Sequence, residues 1–225
     1  MISGDLFEDR RDAGRKLAAK LKFYANRPDV IVLGLPRGGV PVAFEVAAAL
    51  NVPMDVFIVR KLRVPGHSEL AMGAIASGGS CHLNEDVIRQ HYIPKATIES
   101  AIDEEKLELM RREEVYYAKR PPLDLKNRCV ILVDDGLATG ASMLAAISAI
   151  HAMKPKQLVV GVPVIAASSI PEIEPKVDNL VYVLAPYEFY AVGQWYADFG
   201  QTTDEEVKAL LVRANHMDLA EVRSL

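Results

Sequence analysis

The stretch of this chain richest in chemistry begins with two adjacent carboxylates, Asp134 and Asp135, followed by Gly136-Leu137-Ala138-Thr139-Gly140-Ala141-Ser142. An apolar run of strand length precedes the pair, and an apolar helical pattern follows the turn. Carboxylates at a strand's end can accept hydrogen bonds from a vicinal diol. A short Gly, Thr and Ser turn at a helix N-terminus offers backbone N–H groups and hydroxyls to a phosphate. A sugar phosphate satisfies both halves, whereas an ordinary strand-to-helix turn with an Asp cap explains the paired Asp residues alone about equally well. The lysine of GxxxxGK[ST] is missing and no GxGxxG follows the strand, so NTPase and dinucleotide readings fall away.

A second turn has similar means. After the run VIVLGL (30–35) come Pro36-Arg37-Gly38-Gly39 and a helix pattern. Adjacent glycines let the backbone approach an anion, the helix start supplies free N–H groups, and Arg37 adds charge. A tight turn explains the glycines but not Arg37. Farther along, residues 186–200 (PYEFYAVGQWYADFG) gather Tyr187, Phe189, Tyr190, Trp195, Tyr196 and Phe199. Their faces suit a planar ligand, and equally a small second core.

The elements that must position these residues alternate. Runs of Val, Ile and Leu at 30–35, 55–60, 129–134, 158–164 and 180–185 lack polar alternation, as parallel strands covered on both faces do. Helix patterns at 40–50 and 142–153 fall between them, which predicts an α/β fold with an open, mainly parallel, doubly wound sheet. Ligands of such sheets bind beyond the carboxyl ends of the strands. Residues 94–120 read as a long charged helix stopped by Pro121-Pro122, with a solvated face or a dimer-forming one, so a homodimer is among the expected partners. Thr203 and Glu206 stand in capping-box spacing before a closing helix at 203–216. Residues 1–225 are expected to form one domain, its core about 28–185 and a hood with the closing helix about 186–225.

Composition narrows the function classes. With 225 residues, 50% hydrophobic, the chain can bury a substantial core, and its net charge of −4 argues against a nucleic-acid partner. No stretch approaches the ~18 apolar residues of a spanning helix, and the start lacks a signal-peptide core, so a cytoplasmic protein without a membrane partner is expected. Cys81 and Cys129 have neither CxxC spacing nor nearby histidine pairs, so neither a zinc site nor a disulfide framework is suggested. No GxSxG elbow suggests a hydrolase.

The full string VILVDDGLATGAS (130–142) resembles the 5-phosphoribosyl-1-pyrophosphate motif of the type I phosphoribosyltransferases. The resemblance implies that fold, with a small variable hood. It gives Asp134 and Asp135 the ribose 2′ and 3′ hydroxyls, and Ala138, Thr139, Gly140, Ala141 and Ser142 the 5′-phosphate. Pro36, Arg37, Gly38 and Gly39 are similar to the family's pyrophosphate loop. Arg60 and Lys61 stand where the family carries a mobile lid that brings a basic residue to the pyrophosphate, here continuing through residues 62–73 with His67. Mg2+ is the implied cofactor, held mostly by substrate oxygens, with no direct protein ligand beyond Asp134 and Asp135 acting through water.

YAVGQWYAD (190–198) looks like the base-contact strand of the hypoxanthine-guanine enzymes, and so implies an acceptor site at Tyr190, Trp195 and Asp198. Ala138 replaces that group's turn Asp and residues 158–169 lack its base-recognising Lys, which points away from a 6-oxopurine. The ATG turn is similar to that of the adenine and orotate enzymes. GLPRGGVPVA, VRKL, GAIASGG, LNEDVI and VDDGLATGASM together resemble a bacterial group of phosphoribosyltransferases of undefined acceptor. The implied function is Mg2+-dependent transfer of phosphoribose to a nitrogen nucleophile, a nucleobase or related ring, with release of pyrophosphate. The alternative is a regulatory protein of the same fold that binds the donor or a nucleotide without catalysis.

Overall fold

The computed structural model describes residues 6–117 and 123–222. Helix α1 (Arg10–Lys20) comes first, then β1 (Val30–Gly34), α2 (Gly39–Leu50) and β2 (Met54–Val56). β3 (Val59–Val64), β4 (His67–Ala76) and β5 (Ser80–Leu83) follow, with helices α3 (Glu85–Gln90) and α4 (Lys95–Tyr117). The chain continues with β6 (Cys129–Val133), α5 (Ala141–Ala152), β7 (Gln157–Val164), α6 (Ile170–Ile173), β8 (Asn179–Leu184) and α7 (Asp204–Val222).

Five strands form a parallel sheet in the order β2-β1-β6-β7-β8. A hidden period of two runs through its apolar strands. Val30 and Val32 of β1 face α1, α2 and α7, while Ile31 and Leu33 face the layer of α5 with Met143, Ala146, Ile147 and Ile150. Both faces are buried, as the strands' continuous hydrophobicity requires. The direction of winding reverses between β1 and β6, which leaves a crevice beyond their carboxyl ends.

The apolar run 55–60 is not one strand. β2 ends at Val56; Phe57 N–H still donates to Gly34 O (3.0 Å), but Ile58 N–H turns to Ser77 Oγ (3.0 Å) and Ser77 N–H returns to Ile58 O (2.9 Å). The chain thereby leaves the parallel sheet for a separate antiparallel one, β3-β4-β5, that packs against α4 and α5. Continuous hydrophobicity does not reveal where a strand changes sheets. The segment expected to be a mobile lid is consequently a β3-β4 hairpin, although the side chain of His67 lies outside the described residues. The long charged helix is found at Lys95–Tyr117, with residues 118–120 outside the described ones. Glu206 N–H donates to Thr203 Oγ1 (3.1 Å), as the capping spacing predicts, and the closing helix runs on past 216. Helix α1 has no counterpart in the sequence reading.

Ser77 is buried at the crossing point. Replacing it by Ala leaves the Ile58 N–H without that acceptor, and an unsatisfied buried donor costs about 1–3 kcal/mol. Ser77→Ala is therefore expected to lower the urea midpoint by that equivalent with an unchanged denaturant slope; a midpoint equal to the parent's would remove Ser77 from the joint.

Candidate functional site

Asp134 and Asp135 emerge from β6 at the reversal point, and each is partly buried. Asp134 Oδ1 accepts from the Asp135 N–H (2.9 Å). Asp135 Oδ2 accepts from Arg10 Nε (2.8 Å), and Tyr196 Oη donates to the Asp135 carbonyl (2.5 Å). Burial pushes the Asp134 carboxyl well above the usual carboxylate range, and the neighbouring Asp135 charge adds to it. Burial likewise raises Asp135, but the bond and charge of Arg10 work in the opposite direction. Burial and the Asp135 charge raise Tyr196, so that its hydroxyl remains a neutral donor.

The turn after β1 lies directly on this pair. A Cβ at Gly38 would come 2.0 Å from Asp135 Oδ2, and one at Gly39 would come 2.7 Å from Val133 O and 2.8 Å from Asp134 Cα. Only glycines let the two strand-end loops approach so closely. The Pro36–Arg37 peptide is cis. Arg37 is exposed and points toward α4 and α7, where it lines a cleft of about 290 Å³ with Arg111, Arg112, Tyr116 and Asp204.

The turn after the Asp pair meets the description of an anion cradle. Gly140, with φ +68°, caps α5 without any side-chain hydrogen bond, so the first N–H groups of the helix have no side-chain partner there. Thr139 and Ser142 are exposed beside it, and Ala138 is fixed from behind by Ser169 Oγ donating to its carbonyl (2.5 Å). Helix α2 starts at the same crevice, also without a side-chain cap.

Residues 186–200 flank the pair. Val192 packs where a Gly136 Cβ would lie, 2.6 Å from it, and the segment is tied to the chain start by Phe7 N–H to Trp195 O (2.9 Å) and Ala197 N–H to Phe7 O (2.8 Å). Arg10, which the sequence reading omitted, links everything: besides Asp135 it donates Nη1 to Gly200 O (2.7 Å), and its guanidinium lies 3.9 Å from the Phe199 ring centroid. Its one sequence signal is a cation near the start of a helix, too common to single out.

The expected acceptor residues are divided. Tyr190 is 86% exposed. Trp195 packs on Phe189 with its Nε1 buried and lacking a partner among the described residues. Asp198 accepts from Gly200 N–H (2.9 Å) and lines a separate pocket of about 200 Å³ with Arg10, Arg11 and Glu206. Arg60 donates Nε to Glu105 of α4 (2.6 Å), and Lys61 pairs in register with Ala74 inside the hairpin. Both thus belong to β3 and not to the end of β2, where the sequence reading put them. Among the described residues no cluster of metal-ligating side chains occurs, and no helix is long and apolar enough to cross a membrane.

Crevice, glycine turns and carboxylate pair together define an α/β protein of the doubly wound class with two glycine-bearing loops meeting at the reversal point. The chain belongs to the phosphoribosyl transferase domain family, whose model matches residues 5–189. It is 44% identical over 220 residues to proteins of two Mycobacterium tuberculosis strains, H37Rv and CDC 1551, each named "Putative phosphoribosyl transferase". The match takes in 98% of this chain and 49% of theirs, so the chain spans about half the length of the curated relatives it matches. The crystal structure of TT1426 from Thermus thermophilus is 42% identical, with a TM-score of 0.84 over 92% of this chain and 98% of that one.

The raised Asp134 carboxyl has a consequence for stability. The unfolded chain releases this proton near pH 3.8, the folded chain only well above it. Between those limits the folded state holds more protons, so stability falls as pH rises through the interval and stays lower beyond it. Asp134→Asn keeps the Oδ1 acceptor and removes the charge. The variant is expected to melt above the parent at pH 7, with the gap closing toward pH 4; a melting point at or below the parent's at pH 7 would contradict the burial of an unanswered charge.

Proposed function

We propose that the chain transfers phosphoribose from 5-phosphoribosyl-1-pyrophosphate to a nitrogen nucleophile, releasing pyrophosphate. The observation that carries this reading is the convergence of the Asp134–Asp135 pair with two helix starts that have no side-chain cap, α2 and α5, on one crevice. Carboxylates between two anion-binding turns suit a sugar whose hydroxyls lie between its 5′-phosphate and its 1-pyrophosphate. In this assignment Asp134 and Asp135 accept from the ribose hydroxyls. Ala138, Thr139, Gly140, Ala141 and Ser142 surround the 5′-phosphate, and Pro36, Arg37, Gly38 and Gly39 face the pyrophosphate. The bond from C1 to the pyrophosphate oxygen breaks, its electron pair leaving with the pyrophosphate, as the bond from nitrogen to C1 forms and the proton of that nitrogen passes to water.

Two adjacent, partly buried carboxylates answered by the single guanidinium of Arg10 fit a divalent cation that takes its other ligands from substrate and water. Asp134 and Asp135 would hold Mg2+ through water, and the ion would supply neutralising charge for the leaving pyrophosphate. With Arg60 held by Glu105 and the Arg37 side chain directed to the cleft beside α4 and α7, what the protein offers the leaving group is the backbone of the turn at 36–39 and the start of α2. The acceptor fits between the turn at 138–142 and residues 190–198, since C1 points away from the 5′-phosphate. The chain then works as one domain of core and hood, a reading supported by the bonds of Arg10 to both.

Calorimetry with and without Mg2+, followed by a screen of nucleobases and related amines for released pyrophosphate, tests this function. Donor affinity is expected only with a divalent cation. Asp135→Asn should weaken it about 10- to 150-fold, the equivalent of losing charge-assisted hydrogen bonds of ~1.5–3 kcal/mol. An unchanged dissociation constant would remove Asp135 from the site. Donor binding without pyrophosphate release for any acceptor would favour the regulatory alternative.

A further inference from the structure

On the far side of the Pro36–Arg37 turn from the Asp pair lies the cleft of about 290 Å³ lined by Arg37, Arg111, Arg112, Tyr116 and Asp204. Its charge is unusual for this chain. The net charge is −4, and α4 carries acidic residues along most of its length, yet its arginine doublet opens into the cleft beside a third arginine from another element. Arg111 and Arg112 share one carboxylate: Glu108 Oε2 accepts from Arg111 Nε (2.8 Å), and Oε1 accepts from Arg111 Nη2 (3.0 Å) and Arg112 Nε (2.9 Å). Among the described residues the Arg37 guanidinium forms no side-chain hydrogen bond or ion pair; only the carbonyl of Arg37 is engaged, accepting from Val40 N–H (3.2 Å). The one acid in the cleft wall, Asp204, is already engaged by the Tyr116 hydroxyl, which burial and that carboxylate push up to about 12, so it stays a neutral donor.

Three guanidiniums, one shared carboxylate and one engaged carboxylate leave unspent N–H donors around a small polar space. A face of ordinary helix ion pairs would explain Arg111 and Arg112 with Glu108, but not their convergence with Arg37 across a cleft. Planar guanidiniums suit the oxygens of phosphate, and the cleft of about 290 Å³ is ample for a phosphate group.

We infer that Arg37, Arg111 and Arg112 form a second oxyanion subsite, behind the loop that faces the pyrophosphate, which takes a phosphate group. The inference rests on this cleft and stands apart from the donor assignment. The phosphate can belong to the acceptor or to a separate small effector, and binding experiments distinguish the two.

The test titrates inorganic phosphate, without divalent metal, into the full chain saturated with ribose 5-phosphate to fill the turn at 138–142. Arg111→Gln with Arg112→Gln is expected to weaken phosphate binding at least 10-fold, and Glu108→Gln to tighten it about 3-fold by releasing both guanidiniums. Parental affinity in the double variant overturns the subsite. Should that variant also melt lower, Glu108→Gln decides: tighter binding supports the subsite, and equal or weaker binding overturns it. Phosphate affinity that depends on bound ribose 5-phosphate identifies a substrate substituent, and affinity independent of it identifies an effector. Failure of ribose 5-phosphate itself to bind would count against the donor assignment alone, since the arginine dependence is still read from phosphate.

Discussion

Asp134 and Asp135 place two like charges side by side at the end of a buried strand, and the surrounding elements are arranged around that repulsion. Taking an ionised carboxylate out of water is costly unless it is paired and hydrogen-bonded. Here a guanidinium pairs with one of the two carboxylates. Arg10 holds Asp135, while Asp134 has the N–H of its neighbour and no cation among the described residues. The residual penalty falls on Asp134, the carboxylate without a paired cation.

The position of the pair follows from topology. In the order β2-β1-β6-β7-β8 the helices after β1 and β6 depart to opposite faces, so their loops alone diverge over a common crevice. Convergence then becomes a matter of atomic clearance. Side chains at positions 38 and 39 would collide with Asp135 and with the backbone at 133 and 134, so the two turns close on each other only because both positions are glycine. At Gly140 glycine meets a different need, the left-handed conformation from which α5 begins.

Much of this was legible in the sequence because the signals were local. Val, Ile and Leu runs marked the parallel strands, and the order of strand, acidic pair, turn and helix marked the crevice. Nonlocal features were not legible. Arg10 bonds to Asp135 across 125 positions, and nothing in the run 55–60 shows Ile58 exchanging its sheet partner for Ser77. The second of these put Arg60 and Lys61 at the end of a parallel strand, whereas both belong to β3 of the antiparallel sheet. Helix α1 escaped notice because its buried face is made of Ala13, Gly14, Leu17 and Ala18, too few large apolar residues to show a period.

The asymmetry of the pair has a further consequence for how the site is held. Arg10 reaches Asp135 from α1, reaches the carbonyl of Gly200 and stacks on Phe199, while Tyr196 donates to the Asp135 backbone. The conformation of Asp135 is thus fixed by the chain start and the hood together. Among the described residues Asp134 is held by its own neighbour and by the glycine turn against its Cα. A substitution in residues 196–200 therefore acts on Asp135 before Asp134, through the guanidinium of Arg10. Residues 196–200 are thereby tied to the crevice at Asp135, whereas Asp134 has no such tie among the described residues.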